Sequence, residues 1–141
     1  MASTKVPVQA ASPALFAQNG AGGGIGAILN QDGSLNTRTN GAAHGSQVAL
    51  FATGVGVTTP PSEDGSIASP PYPAIVLPVS VTIDGWPAKV VYAGPAAGMI
   101  AGMMQINVIV PANAEVAPFD PVVLMVGTYS SPNSVIISVV K

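Results

Sequence analysis

The chain offers few side chains that could do chemistry: one histidine, His44, six carboxylates, four basic residues and no cysteine. His44 lies in the small-residue run TNGAAHGS. Nucleophilic hydrolysis needs a serine, that histidine and an orienting carboxylate, yet no G-x-S-x-G elbow occurs and the nearest acids by sequence are Asp32 and Glu63. The spacing therefore predicts a surface-loop histidine. Glycosidase chemistry needs two opposed carboxylates, and nothing in the spacing of the six acids singles out a pair. Glu63 and Asp64 are neighbours in the loop-like run TTPPSEDGS and read as solvated.

Metal and cofactor motifs are equally sparse. One histidine without cysteine excludes the common zinc patterns. NQDGSLN begins like a calcium loop, but the EF-hand needs glycine at its sixth position and glutamate at its twelfth. Counted from Asn30, Gly33 is fourth and Gly41 twelfth. Calcium held by loop carboxylates and carbonyls needs no motif and stays open. Gly22 to Ala27 matches the G-x-G-x-x-A dinucleotide fingerprint, but the continuation AILNQDGSLN is a short strand and a turn, with no helix to face a phosphate. These glycines read as a flexible bend. Lys89 and Asn107 fall on strands that could be neighbours, the arrangement of an intramolecular isopeptide bond; an exposed lysine is the plainer reading. No catalytic residue, cofactor or metal ligand is assigned from the sequence.

The elements that would position such groups are strands. The length of 141 residues suits one domain. Hydrophobic residues make up 48% of it and aromatics only 5%, so the core must be aliphatic. Charged residues are 7%, against about 25% in an average soluble domain, leaving a surface of Ser, Thr, Asn, Gln, Gly and Pro. Net charge −2, with Lys5, Arg38, Lys89 and Lys141 scattered, gives no footprint for nucleic acid or an anionic membrane. Residues 90 to 114 are uncharged, with Gly94, Gly98 and Gly102 at G-x-x-x-G spacing. Pro95, Pro111, Gln105 and Asn107 argue against a spanning helix, so no membrane insertion is expected.

Fourteen prolines and sixteen glycines cut the chain into short β-rich runs. These are KVPVQ, ALFAQ, GAILN, QVALFATG, LPVSVTIDG, AKVVYAG, MMQINVIVP, PVVLMVG and SVIISVV. Alternation puts Met104, Ile106, Val108 and Val110 on one buried face, and Leu77, Val79, Val81 and Ile83 on another. PVVLMVG and SVIISVV are apolar on both faces for part of their length and read as central strands, or as strands with one outer face covered by something else. Asp84-Gly85 and Asp32-Gly33 suit tight hairpins. Trp86, just past the first, reads as a packing cap. SPPYPAIVLP reads as an extended crossover between sheets. The fold expected is an all-β sandwich.

A set of phrases carries a family resemblance: GAILNQDGSLN, N-x-A-A-x-G-S-x-V from Asn40, ALFATGVG followed by TTP, LPVSVTIDGWPAKVVYAG and GMMQINVIVP. Over about residues 12 to 140 the chain resembles the uncharacterised C-terminal domain family abundant in Solibacter, found at the ends of large exported proteins. The resemblance implies an immunoglobulin-like antiparallel β-sandwich of the IPT/TIG kind over 12 to 141. Residues 1 to 11 would then be a linker or an N-terminal extension strand. It also implies a non-catalytic structural or interaction module, extracellular or on the cell surface, with neighbouring domains or other copies of itself as partners. The family has no assigned catalytic residues. MASTKVPVQAAS holds no apolar run of signal-peptide length, so a mature portion is expected.

Two other readings compete. In the first, the chain is a self-assembling fibre or surface-layer subunit in which Lys5, Val6, Val8 and Gln9 add a strand to a neighbour; low charge removes the usual repulsion between copies. In the second it is a carbohydrate-binding module. Glycans would need exposed aromatics, and Trp86 and the tyrosines Tyr72, Tyr92 and Tyr129 are the main ones on offer.

Overall fold

The computed structural model describes residues Met1–Lys141, and every regular element in it is a strand. In chain order these are β1 (Ala14–Leu15), β2 (Gly24–Ile25), β3 (Ile28–Leu29), β4 (Ala42–Ala43), β5 (Gln47–Thr53), β6 (Thr58–Thr59) and β7 (Ala74–Ile75). There follow β8 (Val79–Ile83), β9 (Trp86–Pro95), β10 (Met104–Ile109), β11 (Asp120–Val126), β12 (Tyr129–Ser130), β13 (Val135–Ile137) and β14 (Val139–Val140). The main sheet runs β1-β5-β10-β9-β8-β11-β13-β2, with β3 on β5 and β12 on β11; β14-β4 and β6-β7 form two small ladders.

Within that path β11-β8-β9-β10 is a Greek key: three strands joined in succession, and a fourth that returns beside the first. Most pairs are antiparallel; β13 with β2 and β14 with β4 are parallel. β1 and β11, well separated along the path, approach each other, so the sheet curls over itself and encloses one core. That core is aliphatic, with Ile28, Leu50, Ile83, Ile106, Leu124 and Ile137 its largest fully buried side chains.

The alternation in MMQINVIVP is realised: Met104, Ile106, Val108 and Val110 are buried, and Gln105 donates to Asn107 on the other face. Val81 and Ile83 of β8 are fully buried, while Leu77 and Val79 are half-buried and pack against the core. β11 and β13 are interior strands, yet Met125 on the outer side of β11 remains 41% exposed. The hairpin at Asp84-Gly85 has both residues at positive φ, 53° and 74°, as a type I′ turn requires. At Asp32-Gly33 only the glycine is left-handed, and the turn closes from Asn30 to Ser34.

Several expectations need correction. KVPVQ forms no strand: residues 1 to 10 are exposed and irregular, so Lys5, Val6, Val8 and Gln9 pair with nothing in their own chain. Pro7 lacks an N–H for a ladder. Regular packing begins at Ala11, which is buried, and Ser12 donates to Gly54 O. Gly54 is left-handed at φ 78°, and a Cβ there would lie 1.9 Å from Ser12 O, so this entry needs glycine. SVIISVV is not one strand, since the ladder breaks at Ser138. Trp86 is not a packing cap; it is 46% exposed. The glycine run is more than a bend: Gly24–Ile25 pairs with β13, and a Cβ on Gly26 would fall 2.6 Å from Ile28 Cδ1. Lys89 sits opposite Ile109, while Asn107 sits opposite Tyr92, so the two isopeptide candidates are not partners.

Candidate functional site

Loop chemistry gathers at the end of the sandwich where β8 turns into β9, β10 ends and β11 begins. Asp84 is the first residue of the β8–β9 turn, and its left-handed backbone directs its N–H to Pro121 O at 2.9 Å. That bond fixes the turn against the start of β11, next to Asp120. The connection from β10 to β11 then passes over the turn, and Asp84 Oδ2 accepts the N–H of Glu115 at 3.0 Å. As a result Asp84, Glu115 and Asp120 each place a carboxylate oxygen within 4.8 Å of the others.

Other bonds hold this connection in place. His44 Nε2 lies 2.9 Å from Ala114 O; a carbonyl can only accept, so Nε2 carries the proton. Val139 donates to Ala117 O at 2.8 Å, and the Arg38 guanidinium stacks 4.8 Å from the centre of the Phe119 ring. The loop bearing Glu115 is thus tied at Ala114, Glu115, Ala117 and Phe119 by four different segments, which preorganises the carboxylate group.

Burial differs sharply among the three acids. Glu115 is exposed and Asp84 half-buried, whereas Asp120 is only 3% exposed and its Oδ2 has no hydrogen-bond partner. Burial pushes the Asp120 carboxyl up to about 6, the charges of Asp84 and Glu115 push in the same direction, and His44 pulls weakly against them. A raised carboxyl beside a second carboxylate could in principle serve glycoside hydrolysis. None of the surface clefts is lined by Asp84, Glu115 or Asp120, and Asp120 is only 3% exposed.

A second polar feature lies in the turns after β3. A shallow open cleft of about 470 Å³ is lined by Asn30, Gln31, Asp32, Asn40, Gly41 and Ser46. Its side chains largely satisfy one another: Asn40 Nδ2 donates to Ser34 Oγ and Leu35 O, Asn30 Nδ2 to Asn40 O, and Gln31 Oε1 accepts Gln47 N–H. Asp32 is held below the ordinary carboxylate range by hydrogen bonds from the Ser34 hydroxyl and backbone. No apolar residue lines this cleft, unlike the usual small-molecule pocket. Trp86, 46% exposed, lines none of the clefts.

Against the sequence expectations, His44 is in a loop but half-buried, and its ring serves as a clasp. Glu63 and Asp64 are exposed, as expected. The carboxylate triad was not singled out, because its members lie 31 and 5 residues apart and meet only through the β8–β11 register, Ile83 opposite Val122. The one local signal was the Asp84-Gly85 turn. Compared with family models, with curated proteins and with solved structures, the chain matches none.

Proposed function

We propose that this chain is a non-catalytic structural or interaction module of a larger exported protein, an immunoglobulin-like β-sandwich acting outside the cell. The observation that carries this reading is the way the polar side chains are used. Asn30, Asn36, Asn40, Ser131, His44 and Asp84 are spent pinning loops to one another and to the sheet, and the most buried acid of the one carboxylate cluster, Asp120, is only 3% exposed. The same reading is what the resemblance of the sequence to the Solibacter C-terminal domain family would imply. Neighbouring domains would meet it through the exposed arm before Ala11. An antibody to the chain should detect it outside the cytoplasmic membrane of the source cell, within a polypeptide heavier than this chain alone. A free chain in the cytosol, or hydrolase activity abolished by His44→Ala, would overturn the proposal.

Self-assembly through the arm is a second reading, favoured by one observation: Val6 and Val8 are 74% and 95% exposed, with Lys5 and Gln9 beside them. Such a segment could add to a sheet edge of another copy. Light scattering on the full chain and on residues 11 to 141 separates the readings. Assembly through the arm predicts an oligomer that becomes a monomer on truncation; the same mass per chain in both forms rules it out.

A further inference from the structure

We propose that Asp84, Glu115 and Asp120 together hold a hard divalent cation of calcium size, and that the ion locks the β10–β11 connection onto the β8–β9 turn. The inference stands apart from the module reading, because it rests only on the geometry of these three residues.

Oxygens bound to one calcium ion at about 2.4 Å can lie no more than about 4.8 Å apart. The three carboxylates already meet that limit, each with an oxygen within 4.8 Å of the others, so an ion could enter with little rearrangement. They come from three segments that are tied down, Asp84 to the start of β11 by Pro121 O, the Glu115 loop by His44 and Val139, and Asp120 by its pairing with Ile137.

Asp120 supplies the independent observation. Its side chain is buried, and Oδ2 accepts no hydrogen bond from any group in the chain. A carboxylate taken out of water without a partner is costly, and such groups are ordinarily paired or bound to metal. The charged groups acting on it are Asp84, Glu115 and His44; no lysine or arginine is among them. A small divalent cation is the ligand that would give the buried carboxylate a partner and offset two of the three negative charges.

The donor set fixes the class of ion. Carboxylate oxygens with no thiolate, and an imidazole whose Nε2 is committed to Ala114 O, suit calcium rather than zinc or copper. Three carboxylates leave further positions for water, as calcium's six to eight ligands require. With only three protein carboxylates and the remaining positions left to water, the site is expected at the weak end of calcium sites, with a dissociation constant of about 10⁻⁴ to 10⁻³ M.

The lone tryptophan makes the test direct, since Trp86 follows Asp84-Gly85 in the same hairpin. Metal-stripped full chain is titrated with Tb³⁺ while Trp86 is excited, then back-titrated with Ca²⁺, and melting is followed in Ca²⁺ and in chelator. The expected result is saturable sensitised emission, reversed by Ca²⁺, with a higher melting temperature in Ca²⁺. Asp120→Asn, close in shape, and Glu115→Gln, at an exposed position, should each weaken binding by about tenfold or more while remaining folded in chelator. Absence of both emission and a Ca²⁺-dependent melting shift up to about 10 mM, roughly tenfold above the weak end of that range, would overturn the proposal. So would undiminished binding in the two variants.

Discussion

Asn36→Ala is expected to lower stability by about 2–4 kcal/mol and the melting temperature by roughly 10 °C. Asn36 is fully buried, and its amide does the work of a missing strand. Oδ1 accepts the N–H of Ser138 at 2.8 Å, while Nδ2 donates to Ser138 O at 2.9 Å and to Asn30 Oδ1 at 3.0 Å. Ser138 lies between β13 and β14, where the ladder is interrupted, and is itself only 4% exposed. Alanine would leave the Ser138 N–H buried without an acceptor, although Ser138 O would keep its bond from Ala42 N–H. The full desolvation cost of that orphan donor, together with the small cavity, sets the magnitude. Denaturant unfolding followed by circular dichroism measures it. A loss below about 0.5 kcal/mol, the size of an ordinary surface substitution, would show that this bridge does not hold β13 and β14 in place.

The second large effect has the opposite sign. Asp120→Asn should stabilise the chain at pH 7 in chelator by up to about 3 kcal/mol, since a shift of one pKa unit corresponds to about 1.4 kcal/mol and burial, helped by the charges of Asp84 and Glu115, raises this carboxyl from 3.8 to about 6. The folded chain holds the Asp120 proton up to about pH 6, whereas the unfolded chain releases it near 3.8. Between those values the folded state binds more protons, so stability falls as pH rises. Below the lower value the group contributes no difference, and above the upper one the whole penalty is present. Wild type in chelator should therefore lose stability from pH 4 to pH 7 by an amount that Asp120→Asn removes. The facing groups Asp84, Glu115 and His44 remain in both proteins and act as the common background. Identical pH profiles for the two would contradict the assignment.

Most of the frame was legible because it depends on local rules. The alternation of MMQINVIVP specifies which face of β10 is buried, and Asp84-Gly85 specifies a two-residue turn whatever surrounds it. Where reading failed, a distant partner decided the outcome. KVPVQ has strand-like alternation but pairs with no strand of its own chain, and Pro7 breaks its ladder, so Val6 and Val8 stay in solvent. SVIISVV looks like one uninterrupted strand, yet Asn36, 102 residues away, claims Ser138 and divides it. Trp86 follows a hairpin tip, where half its surface has nothing to pack against. The carboxylate cluster was the least legible feature. Its three members carry no motif, and the register that joins them is set by the pairing of β8 with β11 and of β11 with β13.

The central claim is that the loop end carrying Asp84, Glu115 and Asp120 is where this sandwich takes its ligand. Amide chemical shifts of the ¹⁵N-labelled full chain during Ca²⁺ titration test it most directly. Saturable shifts are predicted at Asp84, Gly85, Glu115 and Asp120, and at His44 through its bond to Ala114, with Gly98 to Gly102 at the far end unmoved. A spectrum unchanged by Ca²⁺, or shifts confined to the far end, would contradict the account.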